Sequence, residues 1–421
     1  MSKPMQGFAP AGRTVAVIGA GVVGLTTALQ LLQQGYQVMV FERETVGAGA
    51  SSGNAGHFAS EQVFPLAHAS LLWSVPKFLL NPLGPLAIRP RALWSERRFF
   101  WHYLQSMWPA KWRHNHQILR SLCQQAIDAW QQLLASEALS QLLVQQGNLL
   151  VFEGQTAMQQ ALKTKQHYQA GGVDVELWSA ADVKQYCAGI HQSVQCALYF
   201  PGTGHCVSPL QLCQALQQAI ERRGGVFHFA EVQQLQPSDH GITVQAKSNS
   251  WQVDDVVLCT GVHANALLEP LGLWVPMTAE RGYHLEIKAL AMPPIAVASF
   301  NRHMIMTPMQ TGLRLAGTVE FAGIDALPNW QRAQSLRRHG EALWPSLREH
   351  AEVSMWSGQR PTCADSLPVV GASGVPRLWL NFGHQHLGLT LAAVTSRWLV
   401  DAMQGCAKVN SLDALSIRRF A

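Results

Sequence analysis

The stretch TVAVIGAGVVGLTTALQLLQQGYQVMVFERE, Thr14 to Glu44, reads as strand, glycine turn, helix, second strand and acidic cap. Val15, Val17 and Ile18 make a short apolar strand. Gly19, Gly21 and Gly24 then fall at G-x-G-x-x-G spacing, where a backbone without Cβ can turn sharply, approach a pyrophosphate and let the helix pack on the strand. The helix N-terminus faces the phosphates, and its dipole and free N–H groups stabilise that charge by roughly 0.3–2 kcal/mol without any lysine. Leu25, Ala28, Leu29 and Leu32 supply the apolar helix face, and Gly35 ends it as a left-handed cap. The strand Val38 to Phe41 delivers Glu42, followed by Arg43. An acid there accepts hydrogen bonds from ribose hydroxyls and repels a 2′-phosphate, so the ligand is an ADP-containing dinucleotide rather than NADP. A βαβ turn whose glycines served packing alone would leave Glu42 unexplained.

At 421 residues the chain is too long for one compact core and fits two interleaved domains. With 48 % apolar and 14 % charged residues it is greasier than an average soluble enzyme, yet no apolar run reaches the roughly 18–20 residues that span a bilayer. The first thirteen residues lack the apolar core of a secretory signal, which points to the cytoplasm. The eight cysteines show no CxxC spacing and read as reduced, mostly buried thiols, with neither a metal site nor a disulfide framework. A net charge of +5 is too small and dispersed to argue for nucleic acid.

Beyond Glu42, GAGASSGNAGHFA (Gly47 to Ala59) is a loop of small residues able to wrap a large flat cofactor. From Leu71 to Arg113 the chain is aromatic and basic, with Trp73, Trp94, Trp101, Trp108 and Trp112 beside Lys77, Arg89, Arg91, Arg97, Arg98, Lys111 and Arg113. The pattern is helical from Ile118 to Leu143, and Gly147 to Glu153 reads as a strand. An N-capped helix, Ser208 to Arg223, leads to a strand at Val226 to Phe229, and Val253 to Cys259 is a strand ending in Thr260 and Gly261. Strands from Pro276 to Thr318 fit an antiparallel sheet. Finally Leu378 to Asn381 is a strand, GHQHLGLT a glycine loop and Leu391 to Met403 a helix. One phosphate fingerprint near the start plus a second glycine loop and helix start near the end argue for FAD over NAD. The second N-terminus, near Leu387 to Thr390, can place positive potential at a flavin pyrimidine.

With VAVIGAGVVGLTTALQL, ASSGNAGHF, PGTGHCVSPLQL, LCTGVHA, ERGYHLEI, MTPMQTGLRLAGTVEFAG, WSGQRPTCADSLPVVG and FGHQHLGLTLAAVT in this order, the chain resembles the D-amino acid oxidase superfamily. Within it the likeness is to the bacterial FAD-dependent D-amino acid dehydrogenases, which include D-hydroxyproline dehydrogenases, and it covers nearly the whole sequence. It implies an α/β fold: a Rossmann-like FAD-binding domain from residues 12–62, 190–275 and 355–410, interleaved with a smaller α+β substrate domain from 63–189 and 276–354 built on an antiparallel sheet. It also implies oxidation of a D-amino acid to an imino acid, which water hydrolyses to a 2-oxo acid and ammonia.

Hydride transfer from Cα to flavin N5 asks the protein chiefly to orient the substrate and hold its carboxylate. A guanidinium does this best, because its planar fork pairs bidentately. Arg360 in GQRP resembles the superfamily's carboxylate-binding arginine, with Gly358 beside it for close approach to a ring. His57 stands where related enzymes place a side chain over the flavin; a core histidine is the alternative. His384 and His386 flank the flavin loop. Arg281 and Tyr283, and Arg302 with His303, are further candidates, and period-two alternation sends Arg281 and Tyr283 to one face and His284 to the other. The cofactor is expected against Gly19, Gly21, Val23, Gly24, Glu42, Arg43, Ser51, Ser52, Asn54, Ala55, Gly56, Val232, Thr260, Gly261, Gly358, Gly383, His384, His386, Leu387, Gly388, Leu389 and Thr390. Cys363 does not stand where the related sarcosine oxidases attach flavin, so FAD is expected to be non-covalent. No strong base is required if the ammonium proton goes to water.

Three functions remain open: a D-amino acid dehydrogenase delivering electrons to a quinone, a soluble glycine or sarcosine-type oxidase releasing peroxide, and a non-catalytic FAD-binding subunit. Residues 71–113 resemble an interfacial segment, with rings at headgroup depth and cations at anionic lipid on the inner face of the cell membrane. A tryptophan-rich core is the alternative.

Overall fold

The computed structural model describes residues 12–69, 80–81, 83–288, 291–406 and 412–420, with the backbone alone at 352–353. Leu71, Trp73 and Lys77 of the tryptophan-rich segment, and positions 407–410, lie outside the described residues.

The first strand, Thr14–Ile18, is buried on both faces, which is why its apolar residues run without interruption. Val15 and Val17 join Leu25, Leu29 and Leu31 of the helix Val22–Gln33 in one core. Ala16 and Ile18 join Ile242, Val244 and Val253 of a three-stranded antiparallel meander in another. This first strand is one of six in the order Val226–Phe229, Gln37–Glu42, Thr14–Ile18, Asp255–Leu258, Leu378–Phe382, Val369–Ala372. All neighbours are parallel except the last pair. Because the chain passes from Thr14–Ile18 to Gln37–Glu42 on one side and later adds Asp255–Leu258 on the other, the order reverses at the first strand. A crevice opens at the carboxyl ends of strands at such a switch point.

Gly35 takes φ +85° and ends the fingerprint helix as expected. That helix packs against Pro209–Arg222 and Gly388–Met403, the latter in turn against the long helix Pro109–Ala135. The last helix starts at Gly388, three residues before the apolar pattern implied. The strand expected from Val253 to Cys259 is two: Ser250–Val253 closes the meander and Asp255–Leu258 enters the parallel sheet. Asp254 between them accepts the Thr14 N–H on Oδ2 at 2.8 Å.

A nine-stranded sheet stands beside the first. Its path is Glu352–Cys363, Met277–Ile287, Gly312–Phe321, Met304–Met309, Ala296–Ser299, Asn148–Glu153, Val194–Phe200, Glu176–Ser179, with Leu86–Ile88 added to Gly312–Phe321. It is antiparallel except where Ala296–Ser299 meets Asn148–Glu153 and where Leu86–Ile88 joins. Val194–Phe200 belongs to this sheet by its pairing, so a boundary at 190 falls too early, and Glu352–Cys363 also pairs here well past 355. Local pattern does not reveal such partners, because an apolar strand reads alike in either sheet.

Candidate active site

The carboxyl ends of four parallel strands and the edge of the nine-stranded sheet enclose a cavity of about 720 Å³. Gly19, Gly21 and Val23 line one wall with Thr260 and Gly261, and Gly383, His384, Gly388 and Leu389 another. Gly19 takes φ +103°, and a Cβ on it would lie 2.7 Å from the Cys259 carbonyl oxygen. A Cβ on Gly24 would stand 1.8 Å from the Gly19 oxygen, so Gly24 works behind the wall by letting helix and turn touch.

Two helix N-termini meet here. The fingerprint helix has Gly21 and the last helix Leu387 at the N-cap, neither giving a side-chain cap. Ser51 Oγ accepts the Val22 N–H at 2.9 Å, and the remaining first-turn amides of both helices direct positive potential into one space. The two helices are tied together by buried hydroxyls, with Ser396 Oγ 2.9 Å from both Thr26 Oγ1 and Thr27 Oγ1. Asn381 donates to Thr27 Oγ1 at 3.1 Å and to Ser396. Glu42 lies at the far end of the cavity, its oxygens accepting the Ala20 N–H at 2.8 Å and the Glu44 N–H at 3.1 Å. Both bonds hold the carboxylate at the strand end, with lone pairs to spare for a diol.

The space fits a dinucleotide by its own chemistry. Thr260 Oγ1, Asn381 Oδ1 and Gln385 Oε1 are buried without a hydrogen-bond partner, and all three residues line the cavity. Buried polar atoms are normally satisfied, and a polar ligand held in this cavity would offer partners to these residues.

Antiparallel pairing sets Arg360 opposite Glu280, Gly358 opposite Gly282 and Trp356 opposite His284, so these six share one face. Arg360 Nη1 donates to Glu280 Oε1 at 3.0 Å, and the same buried carboxylate takes the Thr362 hydroxyl at 2.9 Å. Gly282 makes room for this guanidinium, since a Cβ there would meet Nη2 at 2.6 Å. Among the described residues, Arg360 Nε and Nη2 have no protein partner, and Arg360 lines the cavity. The neighbouring Arg314 pairs with Glu286 and donates to the carbonyls of Ser52 and Asn54, clamping the small-residue loop to this sheet. His284 Nδ1 lies 3.0 Å from the Gly53 carbonyl oxygen and reinforces the clamp.

Other sequence candidates fall elsewhere. Tyr283 points to the opposite face, its hydroxyl donating to Glu320 Oε2 at 2.6 Å and accepting the Asn329 N–H. Arg281 shares that face yet lines the cavity, bonded to Ser357 Oγ and the Ala326 carbonyl. The inward choice fails for Tyr283, which does not line the cavity: the whole strand is buried, so burial does not mark the cavity side. Arg302 is spent on Glu153 at 2.6 and 2.8 Å, and His303 is exposed in the following turn, away from the cavity. His57 does not line the cavity; its ring bonds Gly204 and Glu61. His384 lines it, bonded to Thr395 Oγ1 at 3.0 Å, and burial pulls its pKa down to about 3, so it is neutral. His386 is half-buried just behind, also lowered by burial.

Of the remaining cofactor candidates, Arg43, Ser51, Asn54, Val232 and Gly358 line the cavity. Ser52, Ala55, Gly56, Leu387 and Thr390 stand behind it. Gly56 receives the Asn54 side chain on its N–H, Leu387 packs in the core and Thr390 Oγ1 takes the Ala59 N–H. The cavity also holds His263, Trp356, Asn381 and Gln385, which sequence reasoning missed. Asn381 carried a usable signal, as the polar last position of an apolar strand before a glycine loop. Cys363 is buried beneath Gly383 and its thiol is pushed up to about 12 by burial. No cluster able to hold a metal occurs among the described residues.

The family described as FAD dependent oxidoreductase matches the chain over residues 14–402. The chain belongs to this family. The flavoprotein is similar to a D-amino-acid oxidase of Bradyrhizobium diazoefficiens, at 30 % identity over 420 residues covering 98 % of this chain and 100 % of the relative. It is equally similar to a D-amino acid dehydrogenase of Cereibacter sphaeroides, at 30 % identity over 419 residues, 97 % of this chain and 95 % of the relative. Its fold matches a glycine oxidase from Geobacillus kaustophilus with a TM-score of 0.75 at 19 % identity, covering 97 % and 98 % of the two chains. FAD is the cofactor of this flavoprotein, and the glycine cradle, the paired helix termini and the three orphaned polar atoms are the groups suited to hold it.

Proposed function

We propose that this flavoprotein oxidises a D-amino acid to an imino acid, which water converts to a 2-oxo acid and ammonia, and passes the electrons to an acceptor other than oxygen. Residues 12–62, 190–275 and 355–410 hold most of the cofactor wall in this reading, with 63–189 and 276–354 shaping the substrate side, apart from the sheet strands noted above. Bound FAD supplies the hydride acceptor, its N5 atom. The supporting observation is Arg360: a guanidinium at the cavity with two unused donor nitrogens, held in orientation by Glu280. A bidentate carboxylate on that fork fixes two points of the substrate and aims its Cα at the cavity. The helix start at Gly388 adds positive potential where negative charge develops during transfer.

A soluble amine oxidase releasing peroxide is the second reading, favoured by the equal identity to a relative named oxidase. Turnover of D-amino acids, L-amino acids and N-methylglycine with an artificial acceptor in the absence of air, compared with peroxide release in air, decides between them. The expected result is acceptor reduction with D-amino acids and little peroxide. Stoichiometric peroxide, or preference for N-methylglycine, sinks the first reading.

Membrane delivery of electrons is part of the proposal. Trp94, Trp101 and Trp108 are 76, 62 and 73 % exposed on and around the short helices Pro90–Ser95 and Arg97–Ser106. Arg91, Arg97, Arg98 and Arg113 are exposed beside them, whereas the half-buried Trp112 stacks on Phe64. Exposed rings with cations suit an anionic lipid surface, each cation adding on the order of 1 kcal/mol. No helix among the described residues is long and apolar enough to cross a membrane, so attachment would be peripheral. The protein is expected to co-sediment with phosphatidylserine-containing vesicles at low salt and to release as salt rises; full recovery in the supernatant at low salt overturns this.

A further inference from the structure

The face of the nine-stranded sheet that carries Arg360 has an unfilled apolar stretch beside the guanidinium. The Arg360 fork lies over Gly282, where a Cβ would meet Nη2 at 2.6 Å and Nε at 3.0 Å. Gly282 pairs with Val319 on the next strand and Val319 with Leu86, so both side chains stand on the Arg360 face. Directly opposite side chains begin about 5 Å apart, which sets Val319 next to the two unused donor nitrogens. One step along, His284 pairs with Ala316 and Ala316 with Ile305, again on this face.

Val319 and Ile305 belong to interior strands of the sheet, yet both are only partly buried, as is Leu86. None of the three joins an apolar core among the described residues. The reverse face is closed: Leu285, Met306, Leu313 and Leu315 of the same strands pack with Leu336 of the helix Trp330–Leu343. Aliphatic side chains left open in the middle of a sheet mark a space that the apolar part of a ligand would fill. Aromatic rings bound this space at both ends. Phe321, opposite Glu280, meets Phe99 and Phe100 of the helix Arg97–Ser106, each with ring centroids 6.2 Å apart. Tyr103 of that helix stacks on Phe99, and burial first and the nearby Glu280 carboxylate second raise its phenol pKa. At the other end Trp356 stacks on His284.

The charges flanking the space are paired with one another, Arg360 with Glu280 and Arg314 with Glu286. Burial pulls His284 down to about 4, so its imidazole is neutral. A charged side chain entering here would lose its water and gain no counter-ion.

Resting on the function proposed above, we infer that the side chain of the D-amino acid lies against Val319, Leu86 and Ile305 while Arg360 holds its carboxylate, and that the enzyme selects D-amino acids with uncharged, apolar side chains. The carboxylate carbon and Cβ of an amino acid are both bonded to Cα. A substrate anchored on the fork over Gly282 therefore sets its side chain against the neighbouring strand rather than a distant one.

The test is kcat/KM of the holoenzyme for D-alanine, D-leucine, D-glutamate and D-lysine, with an artificial acceptor in the absence of air. Each buried CH2 adds about fourfold, so D-leucine should exceed D-alanine by about tenfold or more. D-glutamate and D-lysine should fall below D-alanine. A charged substrate as the best of the four, or equal values for D-alanine and D-leucine, overturns the inference and leaves D-amino acid oxidation intact. A panel in which no D-amino acid is turned over overturns the parent reading and this one with it. Val319→Phe fills the space and should lower the D-leucine to D-alanine ratio by about 30-fold. Val319→Thr keeps the volume and adds a hydroxyl, so it tests the wall even where the larger ring disturbs folding; the ratio should fall by about threefold or more. A merely structural role would lower both substrates alike, so an unchanged ratio in Val319→Thr overturns the inference.

Discussion

Arg360→Ala is expected to keep the flavin absorbance of the wild type and to lose about 10²- to 10³-fold in kcat/KM for a D-amino acid, mostly through KM. Each charge-assisted hydrogen bond from guanidinium to carboxylate contributes about 1.5–3 kcal/mol, and two are removed together. The alanine variant also strands Glu280, only 3 % exposed and deprived of its cation. Breaking a buried pair on one side costs about 3–5 kcal/mol of stability, so a lower melting temperature accompanies the kinetic loss. Arg360→Ala combined with Glu280→Gln removes that uncompensated charge and should recover much of the stability while leaving KM poor. Arg360→Lys keeps the charge without the fork and should restore only part of the activity. Unchanged steady-state kinetics in the double variant would exclude Arg360 as the carboxylate anchor. If Arg360→Ala kept its yellow colour and its turnover was lost, the reading as a non-catalytic FAD-binding subunit would be excluded as well.

Gly24→Ala should weaken FAD binding by about 10²-fold, measured by flavin fluorescence titration of the apoprotein. Its Cβ would stand 1.8 Å from the Gly19 carbonyl oxygen and 3.0 Å from the Gly19 carbon. Both are backbone atoms of the turn, with no flexible end to swing aside. Relief requires the helix Val22–Gln33 to lift away from the strand, which carries its first-turn amides away from the pyrophosphate. Lifting also strains Thr26 and Thr27, whose hydroxyls hold the last helix through Ser396, so both positive ends are disturbed at once. Gly202→Ala is the control, because a Cβ there meets nothing within 4 Å and the residue does not line the cavity. FAD affinity in Gly24→Ala equal to that of Gly202→Ala would show that the close approach does not matter for the cofactor.

Much of the cofactor side was legible because its signals are local. Gly19, Gly21 and Gly24 carry their reason in backbone geometry, Glu42 in its distance along the chain, and Gly383 and Gly388 in a second strand, loop and helix. On the substrate side the same reasoning failed where both faces of an element are buried. Alternation tied Arg281 to Tyr283 correctly, but every position of Met277–Ile287 is buried, so no polar face marked the outside. Glu280 was overlooked within ERGYHLEI for a related reason: its meaning comes from standing opposite Arg360, a register set by pairing between strands some eighty positions apart.

Taken alone, the order of residues determined a dinucleotide-binding βαβ unit, the acid at its second strand, a second glycine-led helix and the arginine of GQRP. The first three follow from steric and hydrogen-bonding demands within a few turns of chain, whereas the arginine was implied by the family resemblance. Tertiary structure alone decided which face of the long buried strands meets the cavity, that Val194–Phe200 joins the nine-stranded sheet, and that His57 is gripped by Gly204 and Glu61. Those outcomes depend on contacts between distant segments, whose pairing free energies no local pattern encodes.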